Sequence, residues 1–176
     1  MIDDIVYKCI KDHKGGEKFF DALDDMVRNN ETLFNFLMDL IPEEIQYNSF
    51  NIVVSGNFGI KFKNWFNKSN HSNINNCICL NGSLRTDNID KKYYGGYYKN
   101  QFCYQESFGG ECIAIPTVFI DDSFFMGRTS DKVEKYVYDV GGEWCGIIVA
   151  YDGSKTPKRK DLKCLYRYYD RLGEIK

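Results

Sequence analysis

The chain has 176 residues, of which 43% are hydrophobic and 27% are charged, with a formal net charge of −2 at pH 7. This length suits a single domain that buries a sizeable core without disulfides or metal ions. The near-neutral balance excludes the global basic field that marks many nucleic-acid-binding domains. The first residues lack a secretory signal, and no apolar run has the length of a membrane span. We therefore expect a cytoplasmic protein that does not interact with membranes.

Residues 1–48 are predicted to form a helical lead-in or hood without a chemical motif of its own. The stretches FFDALDDMVRN and ETLFNFLMDLI place apolar residues three and four positions apart, which is the pattern of amphipathic helices. A glycine pair and an asparagine pair separate three helices, and Pro42 ends the third.

A strand, a turn and a helix are predicted next. Phe50 to Val54 reads as a buried strand, Ser55–Gly59 as a turn of small residues, and an amphipathic helix begins near Ile60. The stretch CICLNGSL, residues 77–84, is a second strand candidate. The polar and Tyr/Gly-rich stretch between residues 82 and 110 is predicted to be a long lid loop containing at most one hairpin.

The second half of the chain repeats this alternation. IAIPTVFID is a strand, a helix capped by Thr129 or Ser130 follows it, and a glycine pair ends that helix. WCGIIVAYD is a further strand. Residues 156–176 form a basic and aromatic tail, in which we predict a short loop and a helix.

Strands that are apolar along their full length and alternate with helices indicate an α/β fold. We predict one domain with a mostly parallel central sheet flanked by helices, a core over residues 49–155, and the lead-in and tail described above. Ligands of such sheets bind at the carboxyl ends of the strands. The turns Ser55–Gly59 and Asp121–Thr129 are therefore expected at the same edge.

The sequence gives little support for disulfides, for a zinc site or for a hydrolytic triad. The seven cysteines are Cys9, Cys77, Cys79, Cys103, Cys112, Cys145 and Cys164. In a reducing compartment we expect free thiols. Cys77 and Cys79, with His71 upstream, lack the second pair that a zinc site of this spacing needs. Neither a nucleophile elbow nor a Walker loop is present, which argues against a hydrolytic triad and a P-loop enzyme.

The stretch VFIDDSFFMGRTS, from Val118 to Ser130, has the residues of a sugar-phosphate site. Asp121 and Asp122 end a strand, where carboxylates can accept hydrogen bonds from sugar hydroxyls or hold a hydrated Mg²⁺ ion. Gly127 allows the backbone to approach a ligand, and the following helix N-terminus offers N–H groups to a phosphate. Taken one by one, the same residues could simply cap the loop and the helix.

Val118 to Thr129 resembles the ribose-phosphate signature of the type I phosphoribosyltransferases. That signature consists of apolar residues, two acids, three variable positions, a hydroxyl residue, glycine, any residue, and a second hydroxyl residue. The Gly-Arg-Thr ending resembles the pyrimidine-operon regulator branch. The resemblance implies an enzyme of nucleotide metabolism that binds phosphoribosyl pyrophosphate with Mg²⁺. It would transfer ribose 5-phosphate to a nitrogenous acceptor and release pyrophosphate.

The resemblance also implies roles for individual residues. Asp121 and Asp122 would bind the ribose and the metal ion. The 5′-phosphate would lie against Phe125, Met126, Gly127, Arg128 and Thr129. Ser55, Gly56 and Asn57 match the pyrophosphate loop by position alone.

The acceptor would lie near Tyr151 and Asp152, although a core position for Tyr151 is equally compatible with the sequence. Arg85, Lys91 and Lys92 are candidate lid cations. The chemistry does not require a dedicated catalytic side chain, so none is assigned.

Departures from the signature keep other functions open. Met126 replaces the first hydroxyl residue, and Phe125 stands where the 6-oxopurine enzymes carry a carboxylate, which argues against that subclass. A non-catalytic ribose-phosphate or nucleotide-binding protein, regulatory or sequestering, is the alternative. RNA binding through Lys158, Arg159 and Lys160 is a third hypothesis, and a second copy of the chain is a further candidate partner.

Overall fold

The computed structural model describes residues 2–13, 18–47, 49–69, 71, 74–80, 97–98, 101–102, 115–139 and 141–168. The chain begins with the three predicted helices, which are confirmed, and a further short one: α1 (Ile2–His13), α2 (Phe19–Arg28), α3 (Glu31–Asp39) and α4 (Glu43–Gln46). Asn30 caps α3, since its side chain accepts a hydrogen bond from the Thr32 N–H at 3.2 Å. None of the described helices is both long and apolar enough to cross a membrane.

A five-stranded sheet, parallel throughout, forms the centre of the molecule. Its strands are β1 (Phe50–Ser55), β2 (Ile74–Leu80), β5 (Pro116–Phe124), β6 (Glu143–Asp152) and β7 (Leu162–Arg167), in the spatial order β2-β1-β5-β6-β7. Two short antiparallel strands, β3 (Tyr97–Tyr98) and β4 (Gln101–Phe102), form a separate two-stranded sheet. They belong to the stretch that is predicted to be the lid loop. The predicted parallel α/β fold is confirmed.

Helices cover both faces of the sheet, as the fully apolar strands predict. Alternate residues such as Ile52 and Ile120 pack with the N-terminal helices and α5 (Gly56–Asn67). The residues between them, such as Val53 and Phe119, pack instead against α6 (Arg128–Asp139). Neighbouring residues at the end of a strand therefore face different layers of the protein.

The turn predicted at Ser55–Gly59 is wrong, because α5 begins at Gly56. Gly56 has a φ of 63°, which lets the chain pass from strand to helix without intervening residues. Gly59 then packs directly on the preceding strand, where an added Cβ would lie 3.0 Å from the carbonyl carbon of Val54. The small residues of this stretch allow close helix–strand contact.

The helix predicted in the tail is also wrong within the described residues, since Leu162–Arg167 form the edge strand β7. Its pairing with β6 runs from Ile147 and Leu162 to Asp152 and Arg167. Leu162 and Tyr166 are buried while Lys163 between them is exposed. Over six residues, apolar positions spaced by four satisfy both helical and strand periodicity, so only pairing with β6 decides between them.

Candidate functional site

The carboxyl ends of β5 and β6 are joined at one edge of the sheet. Phe124 pairs with Asp152 in the strand register, and the Gly153 N–H donates a hydrogen bond to the Phe124 carbonyl at 2.8 Å. The Tyr168 N–H, just after β7, donates to the Asp152 carbonyl at 2.9 Å. This edge is the one at which parallel sheets bind ligands.

A pocket of about 240 Å³ opens at this edge on the side of α6. Asp121 and Ser123 of β5 line it, together with every residue of the turn from Phe125 to Ser130. The pocket therefore combines a carboxylate near the end of β5 with the first turn of α6. The prediction that the strand ends at Asp121 and Asp122 is wrong, because β5 continues to Phe124.

Gly127 shapes the turn between β5 and α6. Its φ is 83°, a left-handed conformation that favours glycine. Its carbonyl accepts the Asp131 N–H at 2.8 Å and the Ser130 hydroxyl at 2.9 Å, and α6 begins at the next residue, Arg128. Thr129 and Ser130 are thus inside the helix and do not precede it as caps. The first N–H groups of a helix lack intrahelical acceptors, so those of α6 are available to an anion in the pocket.

The two motif carboxylates lie on opposite sides of the sheet, because successive residues of a strand point to opposite faces. Asp121 is half-buried and lines the pocket, and its Oδ1 accepts the Asp122 N–H at 2.9 Å. Asp122 is only 2% exposed, and its Oδ2 accepts a hydrogen bond from Arg28 Nε at 2.8 Å. The structure does not bring both carboxylates to the pocket.

Arg28 belongs to a buried network that joins α2 to the end of the sheet. Its Nη2 lies 3.3 Å from Oδ2 of Asp24, and the Tyr151 hydroxyl donates to the other oxygen of Asp24. The Ser123 hydroxyl donates to Asp122 at 3.1 Å. Burial lowers the pKa of Arg28, but the adjacent Asp122 and Asp24 carboxylates outweigh that effect and raise it overall.

Sequence reasoning missed this network. Asp24 and Arg28 stand four residues apart on α2, which indicates an ordinary helix-surface ion pair. Nothing in the sequence links Arg28 to Asp122, which lies 94 residues further along the chain.

Tyr151 and Phe125 pack with Phe20 in an aromatic cluster beside this network. Tyr151 is fully buried; its ring stacks on Phe20 with centroids 6.0 Å apart, and Phe125 meets both rings edge-on. Phe125 also rests on Gly153, where an added Cβ would lie 2.2 Å from Phe125 Cε1. Asp152 is buried too, and it accepts hydrogen bonds from the backbone and hydroxyl of Ser154. The Tyr151 ring is thus enclosed in the core.

The other predicted site residues are distributed as follows. Ser55, Gly56 and Asn57 lie at the end of β1 and the start of α5, with Ser55 buried and Asn57 exposed. Arg85, Lys91 and Lys92 lie outside the described residues. Lys158 and Lys160 are exposed, but the guanidinium of Arg159 is bound by three carboxylates, those of Asp131, Glu134 and Asp161.

No protein-family model and no curated protein sequence matches the chain. Among solved structures, it is similar to a hypoxanthine phosphoribosyltransferase from Staphylococcus aureus in a tetragonal crystal form. The TM-score is 0.50 at 11% identity, over 82% of this chain and 73% of that one. The chain has the type I phosphoribosyltransferase fold. A hypoxanthine-guanine phosphoribosyltransferase from Bacillus anthracis is also similar, with a TM-score of 0.48 at 7% identity, over 82% of this chain and 78% of that one.

The type I phosphoribosyltransferase fold explains why the pocket forms where β5 meets α6, because ligand sites of parallel sheets lie at strand ends. At so low an identity the likeness concerns the fold alone. Met126, at the position of the first hydroxyl residue, is 65% exposed. Phe125 is committed to the aromatic cluster, so the base-handling carboxylate of the 6-oxopurine enzymes has no counterpart at this position.

The side chains at this pocket supply only part of the ligand set that a magnesium ion needs. Among the described residues there is no group of three or more His, Cys, Asp or Glu that could hold a metal ion by itself. Magnesium is commonly bound by one or two carboxylates, with waters and substrate phosphates completing its octahedron. Asp121 offers such a carboxylate at the pocket, whereas the Asp122 carboxylate is engaged by Arg28. The residues therefore fit an ion that shares its ligands with a phosphorylated substrate.

Proposed function

We propose that this protein binds phosphoribosyl pyrophosphate and transfers its ribose 5-phosphate group to a nitrogenous acceptor, releasing pyrophosphate. One observation carries the proposal: a single pocket joins the Asp121 carboxylate to the Gly127 turn and the N-terminus of α6. Carboxylates accept hydrogen bonds from ribose hydroxyls, and helix N-termini bind phosphates. Both features line the same pocket on one strand–turn–helix unit, so one ligand that carries hydroxyls and a phosphate would contact both.

The proposed reaction is a displacement at C1 of the ribose. A nitrogen lone pair forms the new bond, and the bond from C1 to the pyrophosphate oxygen breaks with its electron pair. The transition state has oxocarbenium character, so positioning and electrostatic stabilisation supply most of the catalysis. When bound, Mg²⁺ would stabilise negative charge on the departing pyrophosphate. In this scheme Asp121 orients the ribose, while the backbone from Gly127 to Thr129 holds the 5′-phosphate.

A second candidate is a non-catalytic protein that binds a ribose phosphate or a nucleotide on the same fold. The buried ion pair between Asp122 and Arg28 favours it, because a carboxylate already bound to a guanidinium is a poor partner for sugar hydroxyls. Met126 favours it as well, since it removes one side-chain donor to the phosphate. Both candidates use the same pocket and differ in whether pyrophosphate leaves.

Ligand-dependent thermal stabilisation tests the shared pocket. Phosphoribosyl pyrophosphate with Mg²⁺ is expected to raise the melting temperature of the wild type, because a ligand that binds only the folded state stabilises it by mass action. At the same ligand concentration the shift should be smaller in Asp121→Asn, because its binding is expected to be weaker. Asp139→Asn, at the exposed far end of α6, is the matched control and should keep it. No shift in the wild type would contradict both candidates.

Release of pyrophosphate separates the two candidates. The wild type is incubated with phosphoribosyl pyrophosphate, Mg²⁺ and a panel of nucleobases, and free pyrophosphate is measured with a coupled assay. Release that depends on one base and is slower in Asp121→Asn supports the transferase. Ligand-induced stabilisation without release on any base supports the binding protein.

A further inference from the structure

Arg159 lies in the connection between β6 and β7 and reaches across to α6. Its Nη1 donates to Oδ1 of Asp131 at 2.9 Å, and its Nη2 donates to Oε2 of Glu134 at 2.7 Å. These two acids stand on the first two turns of α6. One guanidinium therefore holds the beginning of the helix whose N-terminus lines the pocket.

A second set of contacts, with Asp161 and Trp144, holds Arg159 in place. Asp161 accepts hydrogen bonds from its Nε at 2.8 Å and from its Nη2 at 2.7 Å, which is a two-pronged contact. The guanidinium carbon lies 5.7 Å from the ring centre of Trp144, and Trp144 Nε1 donates to the same Asp161 at 2.8 Å. Only 17% of the Arg159 side chain is exposed. These contacts anchor the start of α6 to β6.

The ion pair between Arg159 and Asp131 affects the electrostatics of the pocket. It stands in the first turn of α6, its N–H donates to the Gly127 carbonyl, and its side chain is 68% exposed. A carboxylate so near the phosphate cradle would repel a bound phosphate if its charge were not offset. The Arg159 guanidinium, whose Nη1 lies 2.9 Å from Oδ1 of Asp131, offsets this charge in addition to holding the helix.

We propose that Arg159 is a positioning residue for the 5′-phosphate site, acting through Asp131 and the first turns of α6. The inference rests on the ribose-phosphate pocket of the proposed function but not on catalysis. It also gives the central residue of the Lys158-Arg159-Lys160 run a role other than nucleic-acid contact. Lysine could not replace it fully, because a single ammonium group cannot hold Asp131, Glu134 and both oxygens of Asp161 together.

The test measures the dissociation constant of ribose 5-phosphate by calorimetry for the wild type and Arg159→Gln. We expect binding by the variant to be weaker by roughly threefold to tenfold, the effect of about one charge at a helix N-terminus. Lys158→Gln and Lys160→Gln are matched controls, since both side chains are exposed in the same loop and lose the same charge. They should retain the wild-type constant. An unchanged constant for Arg159→Gln would overturn the positioning role.

A double variant distinguishes positioning from general structural support. Arg159→Gln/Asp131→Asn removes the repulsive carboxylate together with the arginine, and should recover only part of the affinity, because the contacts of Arg159 with Glu134 and Asp161 are still missing. If the double variant binds as weakly as Arg159→Gln alone, the electrostatic role is wrong. Arg159→Lys serves if Arg159→Gln does not fold: affinity between the expected extremes supports the role, and wild-type affinity overturns it. A wild type that does not bind ribose 5-phosphate would overturn the proposed function as well.

Discussion

The two sides of the sheet at the end of β5 use neighbouring, chemically identical residues in different ways. On the side of α6, Asp121 lines an open pocket beside the Gly127 turn. On the side of the N-terminal helices, Asp122 is buried and paired with Arg28, which also contacts Asp24. The alternation of side chains along a strand produces this division. Two adjacent acids of one motif can therefore be divided between an open pocket and a buried ion pair.

We call the side of α6 the open side of the sheet and the side of the N-terminal helices the closed side. The largest expected effect comes from removing the Arg28 ion pairs on the closed side. Arg28→Ala removes the guanidinium that both Asp24 and Asp122 contact in this buried network, so we expect a loss of about 2–3 kcal/mol in the free energy of unfolding. This lies below the range for fully buried pairs because the Arg28 side chain is 24% exposed. Urea denaturation measures it. Arg128→Ala, an exposed arginine on the open side, should change stability by less than about 0.5 kcal/mol.

The turn on the open side is tested by Gly127→Ala. The left-handed φ costs a non-glycine residue about 1–2 kcal/mol, and the new Cβ would lie 3.3 Å from the Phe124 ring. We expect destabilisation of that size together with loss of stabilisation by phosphoribosyl pyrophosphate. Gly141→Ala is the comparison, since Gly141 is also left-handed, with a φ of 79°, but follows the opposite end of α6. An equal loss of ligand response in both variants would contradict a specific role for the Gly127 turn.

Asparagine substitutions separate the two acids directly. Asp121→Asn should weaken binding of phosphoribosyl pyrophosphate about tenfold, as expected for one charged hydrogen-bonding group, while stability changes by less than about 0.5 kcal/mol. Asp122→Asn should do the reverse, because it removes the charge that pairs with Arg28. Calorimetric titration and urea denaturation of both variants measure the two quantities. Equal profiles for the two variants would refute the division between binding and structure.

The smallest expected effect is a pH dependence on the closed side. Burial and the carboxylate of Asp24 raise the pKa of Tyr151 far above its ordinary value near 10. Above that pH the unfolded chain releases the phenolic proton and the folded chain retains it, so stability falls as pH rises, by at most about 1.4 kcal/mol per pH unit from this group. Tyr151→Phe should show a shallower decline between pH 10 and 11 in urea denaturation. A parallel decline would argue against the shift.

Local patterns were sufficient for most of the fold and for the glycine turn between β5 and α6. Full-length apolar strands such as β1 and β6 require cover on both faces, which predicts a parallel sheet between helices. Gly127 marks a turn because few other residues adopt a positive φ. Failures occurred where local patterns were ambiguous: Ser55–Gly59 suits a turn as well as a close strand–helix junction, and β7 is too short for its period to be decisive.

The α/β class, the parallel sheet and the position of the Gly127 turn were predictable from the sequence, because each depends on residues near one another in the chain. Three other features became apparent only in the folded molecule: Asp122 pairs with Arg28, Tyr151 lies in the core, and Arg159 contacts the start of α6. Each of these facts depends on which side chains meet after folding. Contacts between residues tens of positions apart leave no periodicity or spacing in the sequence from which they could be predicted.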